Sequence, residues 1–428
     1  MKKSTAGRRV PPTGVNLFQS IYALVDGYRR DAGQEPLNLS LGNPDGVPPA
    51  DIRRLQARFA QDPGYDFHTY AEAKNLLGFA EAMVELHAGV RVQDCPHLAT
   101  LPIAGIKTAT AMIPLACGLS ARRGGAKPFR FASTLPAYDV AGAWGGYLGA
   151  QRVVWPLLSQ DGMRPKLARL KAALKKSGSS QLDLIFLIRP GNPASVAATR
   201  AEWDELIRYC LKNRVRLVND AAYVGLAGPG HVSLARAAAE VPELEWLELY
   251  SVSKSFSDPG ARLGALVGSK DFVEDFLVIK GNTDSGPVPS VMAAYGEFFS
   301  DRARAAKTLS RLRALYRARA AYLVKRFKAA GLKPACAADA GFFTLWKIPK
   351  RAFGRDLSAY ARGRGFPPAR AFNSLVIAET GIVGVHFEAA PQSGVSEPFI
   401  RYAACANVLS PAFQKRFEDG LARLKPAY

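Results

Sequence analysis

The chain predicts an α/β protein: a large unit with a mainly parallel sheet buried between helices, followed by a smaller α+β unit. Three observations predict it. From about Leu101 onward, short apolar runs alternate with longer amphipathic stretches. The runs themselves are rich in Val, Ile, Leu and Phe, as strands covered on both faces must be. After a long basic segment the pattern restarts with a new apolar run, GFFTLWKIP, and closes in an amphipathic helix from Pro411 to Leu424.

Taken in order, residues 1–13 read as a disordered basic tail, and Val15–Tyr28 as an amphipathic helix. LNLSLGNPDGVPP, crowded with Gly, Pro, Asn and Asp, is a turn region. Helical patterning then dominates to about His87. The strand candidates are Phe129–Ser133, Leu182–Ile188, Val215–Val218, Trp246–Ser251 and Leu263–Val267. Between them lie helices such as Met163–Lys176 and Ala201–Asn213, the second with Thr199 placed to cap it. Val288–Ala330 reads as one long connecting helix; Leu309, Leu312, Leu315, Tyr316, Ala320 and Leu323 form its apolar stripe. No internal repeat is visible.

Lys and Arg outnumber Asp and Glu by 57 to 36, a net charge of +21. Such a field attracts anions of many kinds. The basic residues are scattered, however, and no groove-reading motif accompanies them, so a basic surface drawing acidic metabolites is expected rather than nucleic-acid binding. The five cysteines (Cys95, Cys117, Cys210, Cys336, Cys405) and five histidines lie far apart, without metal-ligand spacing. That pattern suits free thiols in a reducing compartment, here the cytoplasm, and no metal site. No stretch approaches the ~20 apolar residues that span a bilayer.

The sharpest chemical signal is Ser251-Val-Ser253-Lys254, followed by Gly260-Ala-Arg262-Leu-Gly264, between the apolar runs EWLELY and LGALVG. An amine beside a buried strand is desolvated, its pKa falls, and the neutral form can condense with a carbonyl. Two hydroxyls and a guanidinium eight residues on can clamp a phosphate. An exposed turn lysine is the plain alternative. Asn192, after LIFLIRPG, and Asp220, after RVRLVN, stand where ligand sites of α/β sheets form. Taken locally, they also suit a common Asn-Pro turn and a helix cap. Arg401 sits inside the apolar run PFIRYAACA, an expensive place for a cation without a partner.

Together these motifs resemble the class I and II aminotransferases, fold-type I enzymes of pyridoxal 5′-phosphate. The matches run in family order from Leu39 to Arg401. The resemblance implies a seven-stranded sheet, with residues 46–300 as the cofactor-binding domain, 301–428 as the small domain, and 14–45 as an arm packed on the latter. It implies that Lys254 carries the cofactor covalently and moves the proton, that Asp220 pairs with the ring nitrogen, and that Asn192 and Tyr223 bond the phenolic oxygen. Ser251, Ser253, Arg262 and the loop Gly105-Ile106-Lys107-Thr108 would hold the phosphate. Tyr138 would stack on the ring, and Tyr70 would reach a neighbour's phosphate. Gly42 and Arg401 would take the substrate carboxylate. The chain departs from the family at Ala194-Ser195, at Lys74-Asn75, and in VGVHFEAAPQSG.

KGNTDSG, Lys280 to Gly286, resembles the corresponding run of LL-diaminopimelate aminotransferases. That implies a dicarboxylic or polar amino acid with 2-oxoglutarate, with Lys280, Asn282 and Asp284 as readers of the substrate side chain. The expected assembly is a homodimer with shared active sites. Two other readings share the pattern: a different reaction at Cα or Cβ on the same cofactor, and a non-enzymatic regulator. The second normally needs an added DNA-binding domain, and the first helix here already begins near Val15.

Overall fold

A computed structural model describes residues 17–72, 74–122, 127–179 and 181–428; the expected tail, residues 1–13, and the first two residues of the helix expected from Val15 lie outside these. Seven strands form the central sheet: β1 (Leu98–Ile103), β2 (Arg130–Leu135), β3 (Gln151–Pro156), β4 (Leu184–Ile188), β5 (Arg216–Asp220), β6 (Trp246–Ser251) and β7 (Gly264–Ser269). Their order is β1-β7-β6-β5-β4-β2-β3. The pairs β3–β2, β2–β4, β4–β5 and β5–β6 are parallel, while β7 runs antiparallel to both neighbours.

Two apolar layers sandwich this sheet. Met83, Trp203, Leu206, Tyr250 and Phe299 belong to one; Ile113, Phe186, Leu249 and Phe276 belong to the other. Every residue of β6 and β7 is buried. Each Leu, Ile or Phe so buried contributes about 1.5–3 kcal/mol, which explains why these strands read as near-continuous apolar runs. Arg200–Asn213 is a helix whose N-terminus carries a full capping box, Thr199 with Glu202.

In the central sheet the expected strands are all present, but two more were not foreseen, β1 and β3. Both are sheet edges. An edge strand tolerates Pro102 and carries Gln151 and Arg152, so its sequence lacks the apolar continuity of an inner strand. The long connector is two helices, Pro289–Ser300 and Arg302–Ala329. They break at Asp301, which has ψ 84° and caps the second through Arg304 N. The Met163–Lys176 segment is helical only from Leu167.

The Arg302–Ala329 helix crosses from one core to another: Leu309 packs with the sheet layers, while Tyr316, Leu323 and Phe327 enter a C-terminal core with Trp346 and Phe417. That core covers a three-stranded antiparallel sheet of β8 (Phe343–Lys347), β9 (Val385–Phe387) and β10 (Phe399–Ala403), with β10 in the middle. The first helix, Leu17–Ala32, places Ile21, Val25 and Tyr28 against Ile377, Val383 and Val385. Leu37–Asn38 then pairs with Ile382–Val383.

Candidate active site

The parallel strands β1, β2, β4, β5 and β6 end on one edge of the sheet, and β7 begins there. Register brings the phosphate-binding candidates together: Ser251 lies opposite Gly264, and Gly264 opposite Ile103. Two residues beyond these pairs stand Ser253, Arg262 and Gly105. Ser251 Oγ donates to Ser253 Oγ at 2.9 Å and accepts from Ser253 N at 3.1 Å. Arg262 adopts φ +48° and donates to the Pro259 carbonyl at 3.1 Å. Gly105 has φ +88°, and a Cβ there would collide with Arg262 Nη2, so only glycine lets the guanidinium approach this backbone. Helix Ile106–Ala116 starts at this point without a side-chain cap. Ile106, Lys107, Thr110, Ser251, Ser253 and Arg262 line one end of a single cleft. A helix N-terminus, two hydroxyls and an arginine make an anion cradle.

The middle of the cleft is set by the adjacent β4, β5 and β6. Asp220 closes β5, aligned with Ile188 and Leu249. Its carboxylate accepts from Ala222 N at 2.9 Å, and burial pushes its pKa up to about 6. Tyr223 is buried beside it, its ring edge-on to Phe342 and Phe343. Burial raises the Tyr223 pKa, so the phenol remains a donor. The Asn192 carbonyl accepts from Tyr138 N at 2.8 Å, bringing the half-exposed Tyr138 ring to the cleft. Lys254, in the short Val252–Ser255 helix after β6, points its Nζ at the Gly42 carbonyl, 2.7 Å away. Burial lowers its pKa, opposed by Cys405 and aided by Arg401 and Arg262.

Beside the cleft, β10 delivers Arg401, which is buried. Nη1 donates to Asn192 Oδ1 at 2.6 Å and Nη2 to the Ser40 carbonyl, while the guanidinium lies 4.3 Å above the Phe343 ring. Burial lowers its pKa only to about 10, so it stays cationic at neutral pH. A planar cation resting on the face of an aromatic ring is well set to receive a carboxylate.

Thus Ile106, Lys107, Tyr138, Asn192, Asp220, Tyr223, Ser251, Ser253, Lys254 and Arg262 share one cleft, with Gly42 and Arg401 in direct hydrogen-bond contact with its residues. Tyr70 and Asn282 do not join them. Tyr70 is 72% exposed, and Asn282 is exposed with its amide on the Val278 carbonyl. Lys280 corrects the expectation placed on it: its Nζ is buried, held by Asp284 at 2.7 Å and the Glu72 carbonyl at 3.1 Å, so neither it nor Asp284 is free to read a substrate. Three contributors had no signal in the sequence. Ser40 and Phe343 hold Arg401, and Ser195 Oγ accepts from Phe343 N at 3.1 Å. The pair Ala194-Ser195, a departure from the family pattern, therefore ties β4's loop to β8.

A part-buried amine of lowered pKa, a carboxyl of raised pKa on the strand next to one that carries part of an anion cradle, and a buried arginine are the set a pyridoxal-phosphate enzyme of fold-type I requires. The residues fit that cofactor: the cradle at Gly105 admits an anion where no side chain could stand, and Asp220, costly to ionise alone, gains a partner in a protonated ring nitrogen. The family model "Aminotransferase class I and II" matches residues 34–389, and the chain belongs to that family, whose members carry pyridoxal 5′-phosphate and exchange amino groups between amino acids and 2-oxo acids. It is 25% identical over 396 residues to the LL-diaminopimelate aminotransferase of Syntrophobacter fumaroxidans, covering 92% of this chain and 91% of that one. The enzyme of that name from Methanocaldococcus jannaschii is also 25% identical, over 92% and 87% of the two chains. Among solved structures, a single mutant of Thermus thermophilus aspartate aminotransferase superposes with a TM-score of 0.76 at 18% identity, over 98% and 99% of the chains.

Proposed function

We propose that this aminotransferase acts on a dicarboxylic or otherwise polar amino acid of the LL-diaminopimelate kind, with 2-oxoglutarate as acceptor. The observation that carries the site assignment is the meeting, from four separate stretches of chain, of Lys254, Asp220 and Asn192 in one cleft with Arg401 bonded to Asn192. The relatives' names support the substrate class. When bound, the cofactor supplies an electron sink for the bonds at the substrate Cα. Arg401 and the Gly42 backbone hold the α-carboxylate, which fixes the Cα–H direction. Lys254 Nζ takes the proton from Cα and returns it, a task its lowered pKa suits. Asp220 holds the proton of the ring nitrogen. Ser251, Ser253, Arg262 and the amides at Ile106–Lys107 bind the phosphate, and Tyr138 covers the ring.

The same reading makes the enzyme a cytoplasmic homodimer with shared sites. Tyr70 and the 280–286 segment support it: neither lines its own cleft, Tyr70 is exposed, and the backbone two residues beyond it is bonded to the segment through Glu72 N to the Ser285 carbonyl at 2.7 Å. The proposed domain division, with 14–45 as an arm on the 301–428 unit, is supported by the packing of the first helix on Ile377 and Val383. Five free cysteines suit a reducing compartment. A panel of single amino acids, read by cofactor absorbance, tests the activity. Dicarboxylic or diamino donors should convert the cofactor to its amine form, and 2-oxoglutarate should restore it. Release of ammonia or carbon dioxide without that conversion would assign a lyase or decarboxylase instead.

A further inference from the structure

One short backbone segment touches both functional side chains. The Ser40 carbonyl accepts from Arg401 Nη2, and two residues on the Gly42 carbonyl accepts from Lys254 Nζ at 2.7 Å. The segment is seated tightly on its inner side: a Cβ at Gly42 would come within 2.9 Å of the Phe343 ring, the ring that carries Arg401. Upstream it is anchored by Leu37–Asn38 on Ile382–Val383 and by Ala403 N to the Leu39 carbonyl at 2.7 Å. Downstream the chain leaves through Asn43-Pro44-Asp45, where no sheet holds it.

That end is fastened from the Arg302–Ala329 helix. Arg319, 5% exposed, donates Nη2 to Asp45 Oδ2 at 2.8 Å and Nη1 to the Cys405 carbonyl at 2.8 Å. One turn earlier, Tyr316 OH accepts from Asp45 N at 3.0 Å. Cys405 lies four residues beyond Arg401, on the turn that follows β10. The guanidinium therefore joins the end of the Ser40–Gly42 segment to the strand that bears the carboxylate-binding arginine. None of these three side chains lines the cleft.

We propose that Asp45, Arg319 and Tyr316 form a latch of positioning residues that holds the Ser40–Gly42 segment, so that one strap sets both the Lys254 amine and the Arg401 guanidinium. With the latch open, the Gly42 carbonyl no longer stands opposite Nζ and the Ser40 carbonyl no longer steadies Arg401. Misplacement of about an ångström from a change remote from the chemistry can cost on the order of a hundredfold. Both parameters should suffer: kcat through Lys254 and KM through Arg401.

The inference rests on the roles given to Lys254 and Arg401, and the test separates the two. Asp45→Ala and Arg319→Met are compared with wild type, with Asp45→Ala/Arg319→Met, and with Asp45→Glu as a conservative rescue. Asp45 is half-exposed, so its replacement leaves the core intact. Each single variant should lower kcat/KM for an amino acid about ten- to a hundredfold, split between kcat and KM. The double variant should be no worse than the poorer single one, and Asp45→Glu should recover most of the loss. Cofactor attachment to Lys254, followed by absorbance on reconstituting the cofactor-free protein, should slow, because the amine has lost the acceptor that aims it. Unchanged kcat and KM in Asp45→Ala, or effects that add in the double variant, would overturn the latch while leaving the site assignment standing. If Lys254→Ala and Arg401→Ala themselves leave cofactor attachment and carboxylate preference intact, it is the site assignment that falls.

Discussion

Replacing Arg401 by alanine removes more than a charge. The guanidinium holds Asn192 Oδ1 and the Ser40 carbonyl and rests on Phe343, and all of these are buried. The substrate carboxylate would lose its buried, bidentate partner, a change that typically costs about 3–5 kcal/mol. At about 1.4 kcal/mol per tenfold, kcat/KM should fall roughly a hundred- to several-thousand-fold. Arg401→Lys keeps the cation but cannot reach Asn192 and Ser40 while presenting two parallel donors, so it should be impaired less than alanine but still clearly. Cofactor content should not change in either, because Arg401 bonds Asn192 and the Ser40 carbonyl and none of the residues assigned to the phosphate. The assay compares kcat/KM for an amino acid with that for the amine lacking its carboxylate. Wild type should favour the acid strongly, and Arg401→Ala should lose most of that preference. A preference that survives the substitution would make Arg401 a structural residue and refute the reasoning.

Lys254→Ala should abolish the yellow, borohydride-reducible adduct, measured by absorbance and by mass of the labelled peptide; an adduct retained on another lysine would overturn the assignment. Gly105→Ala should weaken cofactor binding severalfold or more, since a Cβ there collides with Arg262 and the backbone has φ +88°; equilibrium dialysis of the cofactor checks it. The folded-state pKa of Asp220, about 6, lies above that of a free aspartate. Ionising it therefore costs the cofactor-free protein stability as pH rises from about 4 through that value. Denaturation profiles should show the loss over that window, and Asp220→Asn should flatten it. Mixing inactive Lys254→Ala subunits with inactive Tyr70→Phe subunits should restore some activity through heterodimers, whereas a fully active monomer by ultracentrifugation would exclude shared sites.

Much of the site was legible because its chemistry is local. Ser251, Ser253, Lys254, Asp220 and Asn192 each stand within a few residues of a buried strand's end, and such strands announce themselves by apolar runs. The same signal fails at the sheet's margins. Pro102 in β1 and Gln151-Arg152 in β3 interrupt the pattern because an edge strand has one free side and need not be covered throughout. Reading 288–330 as one helix on the apolar stripe from Leu309 to Leu323 missed a break at Asp301, because periodicity reports which face is buried and not whether the axis turns.

By itself the sequence determined the fold class, the order of strand ends and the kind of side chain offered at each. Tertiary structure decided which of them meet. Arg401 reaches Asn192 across 209 positions and Ser40 across 361. Lys254 finds the Gly42 carbonyl 212 positions away. Such partners are set by strand order, register and the seating of β10 beside β8, none of which leaves a mark on the local spacing of apolar residues. The same holds for Lys280, whose charged head looked available in the sequence and is instead buried against Asp284 and the Glu72 carbonyl. A side chain's type is written in the chain, but whether its donors are already taken depends on neighbours that only the folded packing supplies.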